Sequence, residues 1–161
     1  MFITARASLS VAVFLMAVGL SIAHQGESHP PKSWSFGQPG SSKDVTRTIQ
    51  IQANEYSFNP EVNVVNQGET VRFVVKNTGK LMHELTIGDA AEQDAHRRSM
   101  SDTSDMPQHN GAHDMPANSV HIPPGQTREL IWTFSRGGKL IIACNYPGHS
   151  DLGMLGALEV Q

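Results

Sequence analysis

From Thr46 to the C-terminus the chain is cut at short intervals by turn signals, and this punctuation limits the architectures open to it. Asn59-Pro60, Asn66-Gln67-Gly68, Asn77-Thr78-Gly79, Pro123-Pro124-Gly125 and Gly137-Gly138 are combinations that preset or permit the dihedrals of tight turns. Between them lie short runs with strand character: Thr46 to Ala53, Thr70 to Asn77, Leu81 to Ile87, Thr127 to Phe134, Leu140 to Cys144 and Leu155 to Val160. No long amphipathic helix accompanies them. The pattern predicts an all-β fold, a Greek-key β-sandwich, because sheet-on-sheet packing is the available way to bury Val71, Phe73, Val75, Leu130, Trp132 and Phe134.

The rhythm breaks between Gly88 and Ser119, a polar stretch far longer than an ordinary loop, which reads as an insertion between strands (88–119). Three of the eight histidines and three of the seven methionines fall inside it: His96, Met100, Met106, His109, His113 and Met115. Methionine is an odd residue to leave exposed in a polar loop. Thioether and imidazole together make a soft mixed ligand set, so the segment is a candidate second copper site; a low-complexity loop enriched by chance is the plainer alternative.

The termini of the pattern set the compartment. An apolar run from Ala7 to Leu20 follows Arg6 and ends in Ser21-Ile22-Ala23. It is too short to span a bilayer comfortably and carries a small-x-small cleavage site, so residues 1–23 read as a signal peptide. Export implies a periplasmic location with no membrane anchor after cleavage. Cleavage leaves 138 of the 161 residues, enough for one folded unit, with 11 basic against 15 acidic groups. That balance argues against nucleic acid as a partner. Residues 24–43, rich in Pro, Gly, Ser and His, read as a flexible or extended arm before a domain spanning 44–161. His24 becomes the new N-terminus, so its amine and ring nitrogen, with His29 nearby, form a weaker candidate metal chelate.

The chemistry concentrates near the C-terminus. Cys144, the single cysteine, opens Cys144-Asn-Tyr-Pro-Gly-His149-Ser-Asp-Leu-Gly-Met154. Four residues separate each of the three sulfur or nitrogen donors from the next, and Pro147-Gly148 supplies a turn that lets them converge. A thiolate, two imidazoles and a long axial thioether are the ligand set of a blue-copper electron-transfer centre. His83, in the alternating run Leu81 to Ile87, is the leading candidate for the second imidazole. Structural zinc sites draw on more cysteines or histidines and seldom on methionine, and a Cys144–His149 nucleophile pair would leave Met154 unexplained. His121, just before Pro123-Pro124, is read as structural.

On these residues the chain resembles the cupredoxins, the plastocyanin and azurin family, whose ligand order is an early His followed by a C-terminal Cys, His and Met. The likeness covers roughly the last three quarters of the chain, and it is greatest to periplasmic copper-tolerance cupredoxins, which carry His/Met-rich additions. It implies a type 1 copper centre at His83, Cys144, His149 and Met154. Azurin-like members often follow the first ligand histidine with an Asn that ties the ligand loops together; this chain has Glu84 there. The expected function is copper binding and tolerance in the cell envelope, with a periplasmic electron shuttle as the alternative. Four protein ligands leave no open position for substrate, which argues against catalysis at this centre. Oxidation of Cu(I) at an additional site is the one enzymatic class left open. The expected partners are copper ions, with a redox protein or a copper exporter or oxidase of the envelope beyond them.

Overall fold

The computed structural model describes residues 33–101 and 115–161. The signal peptide, His24 and His29 of the arm, and Met106, His109 and His113 of the insertion lie outside the described residues. Ten strands form two five-stranded sheets. They are β1 (Gly37–Pro39), β2 (Arg47–Asn54), β3 (Ser57–Asn59), β4 (Val62–Val65), β5 (Thr70–Asn77), β6 (His83–Gly88), β7 (Ser119–Ile122), β8 (Thr127–Phe134), β9 (Gly138–Ala143) and β10 (Leu155–Val160), with an α-helix, α1 (Ala90–Ser101), between β6 and β7 and a single 3-10 turn, Ser42–Asp44, between β1 and β2. One sheet runs β1-β8-β5-β2-β3 and the other β4-β10-β9-β6-β7. The β2–β5 and β4–β10 pairs are parallel and the rest antiparallel.

Period-two alternation does the sorting. On β5 it turns Val71, Phe73 and Val75 inward, and the β5–β8 register sets Val71 opposite Trp132 and Phe73 opposite Leu130. All six residues expected in the core are buried, facing Leu85, Ile87, Ile142 and Leu158 of the other sheet. The all-β sandwich expected from the turn rhythm is therefore the fold observed.

Two boundaries move. The arm expected to run to residue 43 joins the fold much earlier, because Phe36 is buried against Trp132 at a ring-centroid distance of 5.6 Å and Trp34 meets the same ring edge-on at 5.3 Å. Strand β1 follows, and its Gly37 is required by proximity: a β-carbon there would stand 2.2 Å from the Thr133 carbonyl oxygen and 2.4 Å from Trp132 Nε1. The insertion begins as a helix rather than a loop. Asp89 Oδ1 accepts the Glu92 N–H at 2.9 Å, so Asp89-Ala-Ala-Glu92 caps the first turn of α1. The helix docks on the second sheet by polar groups. Gln93, buried, donates through Nε2 to the carbonyls of Thr86 (2.9 Å) and Ile141 (3.0 Å) and accepts from Asn145 Nδ2 at 2.9 Å.

Candidate metal centre

His83 opens β6 and is fully buried. The turn before it is held from two sides. Asn77 Nδ2 donates to the carbonyls of Leu81 (2.7 Å) and Ile122 (2.8 Å), and the Glu55 carboxylate accepts the backbone N–H groups of Lys80 and Leu81. Those N–H groups hold the Glu55 carboxyl below its usual range. Glu55 and Tyr56 are the two linking residues of the β2–β3 hairpin, and Tyr56 takes a φ of 64°, a left-handed conformation rare for a side chain of its size. That turn sets the Tyr56 ring edge-on to His149 at 5.2 Å.

Cys144 leaves the end of β9, fully buried, and the chain from there to Met154 closes on itself. The Cys144 N–H donates to the Met154 carbonyl (3.2 Å), and the Met154 N–H returns to the His149 carbonyl (3.0 Å). His149 N–H bonds the Tyr146 carbonyl at 3.0 Å. Gly148 and Gly153 take φ values of 83° and 100°, which glycine reaches without strain.

These local constraints bring three donors to one point. His149 Nδ1 lies 3.3 Å from both His83 Nδ1 and Cys144 Sγ, and the three ligand atoms all fall within 4.8 Å of one another. Met154, also fully buried, joins through its backbone contact with Cys144. Burial lowers the proton affinity of both imidazoles, and for His83 the facing His149 adds to the effect, so both favour the neutral form that ligates metal. Burial pushes the Cys144 thiol up to about 12. A cation that takes this thiolate must therefore displace a proton held tightly by the protein.

Glu84 stands where azurin-like chains carry Asn, and it makes the tie between the loops. Its Oε1 accepts the Asn145 N–H at 2.9 Å and the Thr86 hydroxyl at 3.2 Å, while its own N–H points at Cys144 Sγ at 3.5 Å. Its Oε2 faces His96 Nε2 at 3.2 Å and His121 Nε2 at 3.6 Å, the second too long for a hydrogen bond. Burial alone would raise this carboxyl, but the facing imidazoles of His121 and His96 and the Asn145 N–H outweigh it and bring it down to about 2. The buried group is thus a carboxylate.

The proposed second set is not gathered by the described residues. His96 and Met100 share one face of α1, four residues apart, but His96 turns to Glu84, and Met115 lies beyond the segment outside the described residues. Sequence reasoning left His121 structural and saw Glu84 only as a departure from the family pattern. The signal that links them is the β6–β7 register, which sets Glu84 directly opposite His121.

Comparison with known proteins fits this donor set. Residues 28–161 match the sequence model of a family described as multicopper oxidase. The copper-resistant cuproprotein CopI of Pseudomonas aeruginosa is 36% identical over 91% of this chain and 94% of its own length. The protein of the same name from Rubrivivax gelatinosus is 33% identical over 86% of this chain and 81% of its own length. The chain is a copper-tolerance cupredoxin. Its sandwich also superposes on auracyanins: one from Roseiflexus castenholzii at TM-score 0.59, 22% identity, covering 73% of this cupredoxin and 98% of that chain, and auracyanin B at 0.63, 16% identity, covering 78% and 96%. These last two show the shared fold. The cupredoxin's cofactor is copper, and a buried thiol beside two neutral imidazoles is the donor chemistry copper takes. No helix among the described residues is long and apolar enough to cross a membrane.

Proposed function

We propose that this cupredoxin is exported to the periplasm, holds copper through His83, Cys144, His149 and Met154, and serves tolerance of the cell envelope to excess copper. One observation carries the reading: two imidazole Nδ1 atoms and a thiol converge within 4.8 Å in a buried pocket whose loop closes through Met154. Bound copper supplies one-electron chemistry between Cu(I) and Cu(II). The residues around it act as a stiff frame: Asn77 and Glu55 fix the approach to His83, Glu84 fastens that strand to Asn145, and the 144–154 loop is braced by its own backbone bonds. A frame that yields little between oxidation states lowers the rearrangement opposing electron transfer. Electron exchange with a redox partner is therefore part of the proposal, and Cu(I) oxidation at an additional site remains its enzymatic extension.

The test is metal analysis with visible spectroscopy on the mature chain and its Cys144→Ser variant. An intense thiolate-to-copper band that vanishes in the variant is expected; a wild-type chain that binds copper without that band refutes the ligand assignment. Tolerance and shuttling separate on a deletion of residues 103–114. The deletion must spare α1, since Gln93 and His96 brace the centre. Loss of growth in excess copper with the thiolate band intact supports tolerance through the insertion, whereas unchanged growth favours the shuttle.

A further inference from the structure

We infer that Glu84, His96 and His121 form a second cation site, one that takes Cu(II) and abuts the copper centre through Glu84. It rests on the reading above for the identity of the metal; its geometry stands apart from the Cys144 ligand set.

The starting point is a fully buried carboxyl group with two imidazoles turned toward one of its oxygens. Glu84 is 0% exposed, and the ionisable groups that face its Oε2 are the imidazoles of His96 and His121. A buried carboxylate needs a cation or a full set of donors. Oε1 has its donors in Asn145 N–H and the Thr86 hydroxyl. Oε2 has the two Nε2 atoms, at 3.2 and 3.6 Å, and the farther one, His121 Nε2, is buried with no hydrogen-bond partner. A buried imidazole nitrogen without a partner, aimed at a carboxyl oxygen 3.6 Å away, marks an incomplete arrangement, since buried polar atoms are ordinarily paired.

A divalent ion completes it. Two imidazoles and one carboxylate suit first-row divalent metals, and among these the affinity order peaks at Cu(II). Carboxylate and imidazole without sulfur favour Cu(II) over Cu(I), which sets this site apart from the thiolate centre. Three elements supply the donors: strand register across β6 and β7 sets the backbones of Glu84 and His121 opposite each other, and the docking of α1 through Gln93 brings His96. The donors are more open than those of the primary centre, which is the group among the described residues with all its ligand atoms inside 4.8 Å. An ion must therefore draw the imidazoles inward. His121 has room to move, being on an edge strand with 18% of its side chain exposed.

The test titrates Cu(II) into the full mature chain and into His121→Ala, each also carrying Cys144→Ser so that the thiolate band is absent and any copper held by His83 and His149 is common to both. Bound copper is counted after desalting and its paramagnetic resonance spectrum recorded. One equivalent lost on His121→Ala, together with a nitrogen-coordinated Cu(II) signal, supports the site; equal copper and identical spectra in the two chains overturn it. A chelate at His24 is common to both and cancels in the comparison. Should His121→Ala fail to fold, crystals of the unaltered chain loaded with excess Cu(II) decide the matter by anomalous scattering at the copper edge. A peak between Glu84, His96 and His121 supports the site, and its absence there overturns it. The proposed function is tested separately by the thiolate band of the chain that retains Cys144.

Discussion

Truncating Gln93 to alanine tests whether α1 is a structural part of the copper centre's support or an ornament on the sheet. The side chain is 2% exposed and makes three hydrogen bonds of 2.9–3.0 Å: two donated to strand carbonyls of β6 and β9, and one accepted from Asn145. The carbonyls have second lone pairs and tolerate the loss. Asn145 Nδ2 does not, because its residue is buried and the Oδ1 of the same amide already lacks a partner. At about 0.5–1.5 kcal/mol for each bond, with the orphaned amide at the upper end, the expected destabilisation is about 2–4 kcal/mol. For a domain of this size that corresponds to a fall in Tm of roughly 6–16 °C. Thermal and urea unfolding of the metal-free chain followed by circular dichroism would measure it. A loss below about 0.5 kcal/mol, within the range of an ordinary surface substitution, would refute the claim that α1 is clamped to Asn145 and the sheet.

Other expectations follow from the same contacts. Glu84 has a folded pKa of about 2 against an ordinary 4.5, so its contribution to stability is fully present above pH 4.5 and is lost as pH falls toward 2. Acid titration of stability in the metal-free chain should show a component of about 3 kcal/mol across that window that Glu84→Gln removes; an unchanged profile would count against an ionised Glu84. Cys144 should resist alkylation in the metal-free chain at pH 8, since burial and a pKa of about 12 leave roughly a thousandth of the thiolate of an ordinary cysteine. Reaction at the rate of a free thiol would mean that the pocket is open. Gly37→Ala should lower stability by about 1–3 kcal/mol through collision with Thr133 and Trp132, read by urea unfolding, and a neutral result would show that β1 can shift away.

What the sequence disclosed depended on whether burial was apolar. Strands β5 and β8 were readable because Val71, Phe73, Leu130 and Trp132 alternate with polar neighbours. Strand β4 inverts that pattern: Asn63 is buried while Val62 and Val64 are exposed, so nothing in Val-Asn-Val-Val points to a strand with its usual face inward. Helix α1 escaped for the same reason, since its docked face is Gln93 and His96 rather than hydrocarbon. Its capping pair, Asp89 and Glu92, was the available signal. The 144–154 donors were legible because they are local in sequence and His83 stood in an alternating run. The Glu84–His121 pairing was not, because it arises from strand register between segments 37 residues apart in number, with the insertion between them.

The polar underside of α1 also governs how the helix would come off. Lifting it uncovers amides, two strand carbonyls and an imidazole, and hardly any hydrocarbon. Partial opening of that kind exposes little surface of the sort that urea or heat acts upon, so hydrogen exchange in α1 should be nearly indifferent to low denaturant while the sandwich strands respond steeply. The element flanking the copper pocket is thus fastened by hydrogen bonds that can open while the sandwich of strands beneath it stays shut.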